Sequence, residues 1–270
     1  RDGRWAIENE PPRDVFAALA RLRDMQFDCV FIALHGPFGE DGRMQGLLDL
    51  LGFPYTGSGC AASALAMDKV RSKAVVRAQE VPVAPHVAFD RALWQFNPEQ
   101  VRRAVRDDIG YPCVVKGANQ GSSIGIEMPE AETAFDTAVA RVFDVDDYIL
   151  VEPLLRGAEL TCAVLDAEAD GRIRALPVTE IRPKAAFFDY AAKYTPGATD
   201  EITPAEIAGE DCRQVQSLAV LAHEVLGCRG WSRSDFMLTG DGPVWIEVNT
   251  VPGLTPTSLY PQACAADGIP

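Results

Sequence analysis

Positively charged residues are scarce in this sequence: its 270 residues include 25 Lys and Arg against 39 Asp and Glu, a formal net charge of −14. Nucleic acids and anionic membranes bind surfaces rich in Lys and Arg, so this balance disfavours both as partners. The longest apolar runs, such as 29–34 and 218–221, fall far short of the ~20 residues that span a bilayer, and no charged-then-apolar leader opens the sequence. We therefore expect a cytoplasmic protein with no membrane partner.

Cysteine patterns that signal pairing are also lacking. The seven cysteines are an odd number, none forms a C-x-x-C pair, and most lie inside apolar runs. Such placement is typical of structural free thiols in a reducing compartment rather than of a zinc site or a disulfide framework. The glycine-before-lysine order of a P-loop is missing as well. P-loop NTPases are therefore disfavoured.

The spacing of apolar residues predicts a mixture of helices and strands. A continuous apolar run at 28–34 predicts a buried strand that ends in the Gly-rich loop 35–42. From residue 111 onward short strands alternate with helices, and Gly240-Asp-Gly242 predicts a hairpin. We therefore predict an α/β protein with α+β lobes. Helices are expected at 15–22, 44–51, 60–78, 98–107, 130–142 and 211–226, and further strands at 113–116, 124–127, 148–152, 159–165, 173–181, 234–238 and 244–248.

A Gly- and Ser-rich loop follows Lys116 at the end of a predicted strand, over residues 117–125. Glycines let backbone N–H groups approach phosphate oxygens closely, while Ser122 and Ser123 add hydroxyl donors and Lys116 adds charge. The segment is suited to cradle a polyphosphate. Taken alone, such a loop is also compatible with a plain hairpin.

Two carboxylates, an amide and a guanidinium are predicted to share one patch of the final hairpin. Alternate side chains of a strand share a face, which groups Arg233 with Asp235 and Glu247 with Asn249. Oxygen-rich sets of this kind suit Mg²⁺, which takes one or two carboxylates and completes its shell with water and substrate phosphates. A solvated edge is the alternative, but Trp245 indicates a partly buried sheet, where unpaired carboxylates are costly.

A dinucleotide-binding signal is present but weak. Residues 57–62 match the loose G-x-G-x-x-[GA] pattern, and Glu80 follows roughly twenty residues later. The preceding stretch 52–55 is too short and too interrupted by proline for the buried strand which that pattern requires. His35 is the more informative position, because it closes a predicted strand and opens a loop where ligand sites of α/β sheets concentrate.

Eight segments, taken together, resemble the D-alanine–D-alanine ligase family of the ATP-grasp superfamily. They follow the family's order over nearly the whole chain, and their joint occurrence is far more specific than any one of them. The segments are Leu34–Gly42, Gln45–Gly46, Tyr55–Gly59, Met67–Lys69, Val115–Lys116 with Gly121–Gly125, Phe188–Tyr190 with Lys193–Tyr194, Arg233–Asp235 and Glu247–Gly253.

The resemblance implies a fold of three lobes with ATP clasped between the second and third. We expect a small, incomplete Rossmann-like α/β lobe at 1–62, a central ATP-grasp lobe at 63–152 and a C-terminal ATP-grasp lobe at 153–270. It also implies an ATP-dependent reaction in which one D-alanine is phosphorylated on its carboxylate and a second attacks through its amine. The product, D-alanyl-D-alanine, serves peptidoglycan synthesis. The partners are then ATP, two D-alanines and two Mg²⁺ or Mn²⁺ ions, and a homodimer through the first lobe is expected if that lobe is intact.

The resemblance also implies roles for individual residues. Those expected to bind ATP are Lys69, Lys116, Ser122, Ser123 and Lys193 at the phosphates, Glu152, Pro153 and Leu154 at the adenine, and Glu159 at the ribose. Those expected to hold the metals are Asp235, Glu247 and Asn249. Those expected at the reacting groups are His35 near the first D-alanine, Arg233 and the Gly253 N–H at the oxyanion, Ser258 and Leu259 at the second carboxylate, and Tyr194 in a lid beside Ser122, where it favours an amine nucleophile over D-lactate.

The sequence also departs from the family pattern. Gly117 stands where the family usually has Pro, and Ala191 stands where the lid often has Glu. The family's early Glu, which holds the amine of the first D-alanine, has no counterpart in residues 1–10. Two alternatives therefore stay open: another ATP-grasp carboxylate–amine ligase, and a nucleotide-binding fragment impaired in catalysis. A dehydrogenase ranks last.

Overall fold

The structure is a computed structural model that describes residues 3–121, 125–166, 171–183 and 199–269. Its helices are α1 (Val15–Asp24), α2 (Arg43–Leu51), α3 (Cys60–Met67), α4 (Lys69–Arg77), α5 (Arg91–Phe96), α6 (Pro98–Ala104), which continues as a π-helical turn at Val105–Ile109, α7 (Glu132–Val142), α8 (Gly209–Val225) and α9 (Leu259–Ala266). Its strands are β1 (Val87–Asp90), β2 (Cys113–Gly117), β3 (Ile126–Glu127), β4 (Tyr148–Pro153), β5 (Ala158–Asp166), β6 (Arg174–Ala175), β7 (Thr179–Pro183), β8 (Thr199–Ile202), β9 (Gly230–Thr239) and β10 (Gly242–Asn249).

The strands form two antiparallel sheets, which confirms the predicted mixture of helix and strand. A four-stranded sheet has the order β1-β4-β2-β3, and a larger sheet has the order β10-β9-β5-β7-β8 with β6 paired to β5. Phe89, Phe135 and Ile149 belong to the core of the smaller sheet, whereas Phe236 and Trp245 belong to the core of the larger one. Each sheet therefore buries its own apolar side chains, and the chain crosses between them after β4.

The predicted helix at 60–78 is two helices, α3 and α4, with a break at Asp68. Asp68 is extended (φ −85°, ψ 99°), and its carboxylate accepts a hydrogen bond from the Arg71 N–H at 2.9 Å. Aspartate favours this capping position because it satisfies an N–H that the helix leaves unpaired. The break makes Lys69 the first residue of α4, and the Lys69 N–H donates to the Ala118 carbonyl at 3.0 Å. The capping residue therefore fixes Lys69 beside the loop that follows β2.

The predicted strand at 28–34 is wrong. Among the described residues of this segment, only Val30 pairs, in an isolated parallel bridge with Tyr55. A parallel strand becomes regular only when a neighbouring strand continues the hydrogen-bond ladder on its edge. Phe31 and Leu34 of this apolar run are 55% and 50% exposed.

The other predicted elements are close to the observed ones, with one further exception. The single strand predicted at 173–181 is two strands, β6 and β7, on either side of Pro177. Proline has no N–H to donate to a ladder, which explains the interruption. All seven cysteines are free thiols, of which Cys113, Cys162 and Cys228 are buried. Within the described ranges, no helix has the length and apolarity needed to cross a membrane.

Helices α3 and α4 pack on the larger sheet. Ala66 and Val76 belong to the same apolar cluster as Trp245, and Val83 forms an isolated parallel bridge with Trp245. The predicted division into three lobes at residues 62 and 152 stays a prediction.

Candidate active site

A buried carboxylate, Glu152, lies between two buried lysines at the end of β4. The Lys73 Nζ is 2.8 Å from Glu152 Oε1, and the Lys116 Nζ is 2.6 Å from Oε2. Three buried charges are tolerated because each side chain has a partner of opposite charge. Burial alone would raise the pKa of Glu152, but attraction to Lys116 and Lys73 outweighs it and lowers the pKa to about 2. Glu152 is therefore ionised, and Lys116, whose pKa its attraction raises, is the cation of this group that suits a phosphate.

Lys69 joins the loop after β2 to strand β10. Its Nζ lies 3.0 Å from Glu247 Oε2 and also donates to the Gln120 carbonyl. Lys69 is buried, so its charge is little screened by solvent. The ammonium group consequently lies where the expected phosphate loop meets an expected metal ligand.

The hairpin of β9 and β10 brings the four predicted side chains together. Asp235 lies opposite Glu247, and Arg233 lies opposite Asn249. Arg233 donates through Nε and Nη2 to the two carboxylate oxygens of Asp235, both at 2.9 Å. Thr161 Oγ1 also donates to Asp235 at 2.8 Å, and Asn249 Nδ2 donates at 3.3 Å. The predicted grouping of these residues on one patch is confirmed, and Asp235 is held from three sides.

A β-bulge between Trp245 and Glu247 decides which way the carboxylate of Glu247 faces. Trp245 pairs with Phe236 and Glu247 with Asp235, so Ile246 is an extra residue in β10. In a regular strand, with Ile246 kept in the ladder, the two-residue period would put Glu247 on the same face as Trp245, which is fully buried in the core. The bulge therefore turns Glu247 out of the core and into the site.

Glu40 is a site residue that the sequence reasoning missed. Its side chain is only 12% exposed and lies 3.9 Å from His35 Nδ1. A Cβ built on Gly121 would lie 3.6 Å from Glu40 Oε1, which places this carboxylate beside the loop after β2. Burial raises the pKa of Glu40. The signal in the sequence was an acidic residue inside the Gly-rich loop 35–42.

Lys73 was missed as well, for a different reason. It lies one helical turn after Lys69 in α4, so it is visible in the sequence only as one of several charged residues on a helix. Its burial, at 1% exposure, is a tertiary property. A lysine is rarely buried unless it is paired, and the pairing residue Glu152 is far away in the sequence.

His35 lies at the rim of the site and joins the first segment of the chain, residues 3–62, to the loop after β10. Its Nδ1 is 2.9 Å from the Val251 carbonyl, across a sequence separation of 216 residues. Its side chain is 55% exposed, so it can meet a ligand from the cleft. His35 therefore lies beside the loop that follows β10, and its expected place near the first D-alanine stays a prediction.

Gly253 lies in the loop between β10 and α9, and Ser258 and Leu259 lie at the start of α9. A Cβ on Gly253 would approach Ser258 Oγ to 2.7 Å, so only glycine fits there without a shift. The Thr255 N–H donates to Ser258 Oγ at 3.1 Å, and the Thr255 and Ser258 hydroxyls are 2.8 Å apart. Ser258 is the N-cap and Leu259 the first residue of α9, where unpaired backbone N–H groups favour a negative charge.

The loop after β2 is described up to Gly121. A Cβ on Gly117 would lie 2.8 Å from Asp146 Cβ, so glycine here serves close packing. The Asp146 carboxylate accepts the Asn119 N–H at 2.7 Å, and Gln120 Nε2 donates to the Val145 carbonyl at 2.8 Å. The start of the loop is thus anchored to the turn that precedes β4.

The remaining predicted residues divide into two groups. Pro153 ends β4, Leu154 follows it, and Glu159 lies near the start of β5, so the expected adenine and ribose residues line the crossing between the two sheets. Ser122, Ser123, Lys193 and Tyr194 lie outside the described residues, as do Phe188–Tyr190 and Ala191.

The donor set of the hairpin fits Mg²⁺ that arrives with a phosphate. Among the described side chains, no group of three or more His, Cys, Asp and Glu residues could hold a metal. Asp235 and Glu247 supply two carboxylates, and Asn249 can supply an amide oxygen. Mg²⁺ typically binds one or two carboxylates and takes its other ligands from water and phosphates.

Sequence comparison identifies two matching family models. The model described as "D-ala D-ala ligase C-terminus" matches residues 75–270, and "D-ala D-ala ligase N-terminus" matches residues 8–58. A D-alanine–D-alanine ligase of Leptospira biflexa is 41% identical over 252 residues, which is 93% of this chain and 71% of the relative. One of Halalkalibacterium halodurans is 44% identical over 250 residues, 92% of this chain and 79% of the relative.

Two solved structures are similar in fold. The VanG D-Ala:D-Ser ligase of Enterococcus faecalis superposes with a TM-score of 0.79 at 36% identity, covering 90% of this chain and 69% of that one. The D-alanine–D-alanine ligase of Coxiella burnetii superposes with a TM-score of 0.73 at 33% identity, covering 90% of this chain and 64% of that one.

Proposed function

The chain belongs to the D-alanine–D-alanine ligase family, and we propose that it joins two D-alanines into D-alanyl-D-alanine with conversion of ATP to ADP and phosphate. It has the ATP-grasp fold of that family. In the proposed reaction, the γ-phosphate of ATP is transferred to the carboxylate of the first D-alanine, and the amine of the second attacks the resulting acyl phosphate. Phosphate leaves, and the dipeptide serves peptidoglycan synthesis.

The observation that carries this proposal is the placement of buried lysines beside two paired acidic side chains. Lys69 lies 3.0 Å from Glu247, and Lys116 lies 2.6 Å from Glu152. Polyphosphate bound to an acidic protein must be neutralised locally, because the net charge of the chain repels it. We assign Lys69 and Lys116 to the ATP phosphates. Ser122, Ser123 and Lys193 keep the phosphate roles that the family resemblance implies.

For the rest of the nucleotide, we assign Glu152, Pro153 and Leu154 to the adenine and Glu159 to the ribose. Support comes from their position where the chain crosses between the two sheets. The metal ligands would be Asp235, Glu247 and Asn249, as two carboxylates and an amide oxygen suit Mg²⁺ or Mn²⁺. Two bound ions would offset the charge of the phosphates during transfer.

For the amino acids, we assign Arg233 and the Gly253 N–H to the developing oxyanion. Hydrogen-bond donors that are already oriented stabilise a developing negative charge most strongly. Arg233 is oriented by its two hydrogen bonds to Asp235. His35 would face the first D-alanine, and Ser258 with Leu259 would receive the carboxylate of the second. Tyr194 would favour an amine as nucleophile. A closed site excludes water, which would otherwise hydrolyse the acyl phosphate.

We also propose a cytoplasmic location, because the reaction consumes ATP, and a homodimer formed through the first segment. The large apolar side chains that this segment exposes, Phe16, Phe31, Phe38 and Leu50, support the dimer. The division into lobes at 1–62, 63–152 and 153–270 remains part of the proposal.

D-Serine is the second candidate for the acceptor substrate, on the strength of the similarity to the VanG D-Ala:D-Ser ligase. The deciding experiment measures phosphate release from ATP and Mg²⁺ with D-alanine alone and with D-alanine plus D-serine, and identifies the dipeptide by mass. We expect phosphate and D-alanyl-D-alanine to appear together only when D-alanine is present. A mixed dipeptide in excess would favour D-serine, and nucleotide binding without any product would indicate an impaired fragment.

A further inference from the structure

Lys73 is the most deeply buried charged side chain near the site, and the mechanism above gives it no role. It is 1% exposed, whereas Lys69 and Lys116 are 8% and 7% exposed. A buried ammonium loses its hydration, and burial lowers the pKa of Lys73 in spite of the nearby Glu152. Burying this ammonium group costs free energy, which its contacts must offset.

Those contacts connect the two sheets. Toward the smaller sheet, the Lys73 Nζ is 2.8 Å from Glu152 Oε1 in β4. Toward the larger sheet, it donates to the Trp245 carbonyl at 3.5 Å and lies 5.6 Å from the centre of the Trp245 ring, within cation–π range. Lys73 therefore contacts one residue from each of the sheets between which ATP is expected to bind.

The contact between Lys73 and Trp245 lies at the bulge of β10. Trp245 lies on one side of the β10 bulge, and Glu247 lies on the other. A bulge interrupts the regular pairing of a strand, and it is the feature that turns Glu247 toward the site. Lys73 thus contacts the bulge at one end and the carboxylate expected at the adenine at the other.

Lys116 alone cannot pair with both carboxylate oxygens of Glu152. The two lysines approach opposite oxygens of the carboxylate, Lys73 on Oε1 and Lys116 on Oε2. Removing either one frees one oxygen and leaves a buried carboxylate with half of its compensation. Lys116 is assigned to the phosphates, which leaves Lys73 as the partner dedicated to orientation.

We infer that Lys73 is a positioning residue that orients Glu152 at the nucleotide base and joins it to the β10 bulge, so that nucleotide affinity and base selectivity depend on it. This inference rests on the proposed nucleotide role of Glu152. Lys73 acts through Glu152 rather than by binding the nucleotide itself.

The test measures binding of ADP, and separately of GDP, to the full chain by isothermal titration calorimetry. We expect Lys73→Met to weaken ADP binding by about tenfold or more, the usual range for coupled neighbours, and to narrow the preference for ADP over GDP. Val76→Ala is the matched control, because Val76 is a fully buried residue of the same helix that belongs to the apolar cluster of the larger sheet and carries no charge. It should lower thermal stability and leave both affinities unchanged.

A double-mutant cycle with Glu152→Gln distinguishes positioning from general damage. If Lys73 acts through Glu152, the double variant should bind ADP no more weakly than Glu152→Gln alone. The double variant also lacks the uncompensated carboxylate, so it provides the comparison if Lys73→Met fails to fold. Unchanged ADP and GDP affinities in Lys73→Met, or strictly additive losses in the cycle, would overturn the inference while leaving the ligase proposal intact. A wild-type chain that binds neither nucleotide would overturn both.

Discussion

In the larger sheet Trp245 and Phe236 are fully buried, whereas in the first segment of the chain Phe31 and Leu34, on either side of the buried Ile32, are 55% and 50% exposed. Both regions contain apolar residues at regular spacing, yet only one uses them to close a core. The difference lies in hydrogen-bond partners: β9 pairs with strands on both sides, while Val30 has a single bridge. Apolar spacing thus predicts a strand only where neighbouring strands are available to receive it.

The two regions also hold their site residues in different ways. Asp235 on β9 accepts hydrogen bonds from three side chains. His35, in the first segment, is fixed by one contact to the Val251 carbonyl. The end of the site proposed to bind metal and nucleotide is therefore held by several buried polar contacts, and the end proposed to bind the first amino acid depends on a docked loop. Substitutions at the two ends should therefore differ in how strongly they lower activity and in which property of the protein they change.

The largest loss of activity is expected from Glu247→Gln, at the end of the site that the β9–β10 hairpin forms. The neutral amide cannot supply the charge that the proposed metal ligand would supply, and it also loses the ion pair with Lys69. We expect turnover to be abolished in the phosphate-release assay. Asp241→Asn, in the exposed turn of the same hairpin, removes the same charge far from the site and should leave activity unchanged. Near-normal turnover by Glu247→Gln would refute the metal assignment.

A slightly smaller effect is expected from Arg233→Ala. If Arg233 stabilises the developing oxyanion, kcat should fall by about 10²–10³-fold, the usual cost of removing one such donor, while ATP affinity stays largely intact. Arg233→Lys keeps the charge but cannot reproduce the two parallel hydrogen bonds to Asp235, so it should recover only part of kcat. A loss confined to ATP affinity would contradict the proposed role.

A moderate, pH-dependent effect on activity is expected from Glu40→Gln, at the end of the site that the loop 35–42 forms. The carboxylate of Glu40 is charged above its pKa, and burial raises that pKa. As the pH falls through the raised value the wild type loses this charge, so kcat/KM for D-alanine should fall on the acid side at a higher pH than an ordinary glutamate would cause. Glu40→Gln should remove that limb of the profile.

The pH profile needs a control from the same segment. Asp24→Asn, at the exposed end of α1, removes a carboxylate that has no contact with the site and should leave the profile as in the wild type. An acid limb that persists in Glu40→Gln would exclude Glu40 as its source.

The smallest effect on stability is expected from Leu50→Glu. Leu50 is exposed, so its replacement should change the free energy of unfolding by no more than about 0.5 kcal/mol. Phe236→Ala, by contrast, removes a fully buried ring and should cost about 3–5 kcal/mol. The same Leu50 variant should weaken the proposed homodimer, measured by light scattering after size-exclusion chromatography. A dimer unaffected by Leu50→Glu would move the interface away from this face.

Much of the site could be predicted because its residues are close in sequence or obey a simple period. Arg233 with Asp235, and Glu247 with Asn249, follow from alternation in a strand, and the turn Gly240-Asp-Gly242 brings the two pairs together. Glu40 and Lys73 could not be predicted in the same way. Each is ordinary in its local context and becomes distinctive only through burial beside residues distant in the sequence.

The sequence by itself determined the alternation of helix and strand, the hairpin and the types of charged side chain available for phosphate and metal. These depend on local rules: turn residues, two-residue and 3.6-residue periods, and the chemistry of each side chain. Tertiary structure alone decided that the apolar run 28–34 forms no regular strand and that the bulge turns Glu247 away from Trp245. It also decided that Lys73 and Lys116 share Glu152. Pairing partners and burial come from distant parts of the chain, and local spacing carries no information about them.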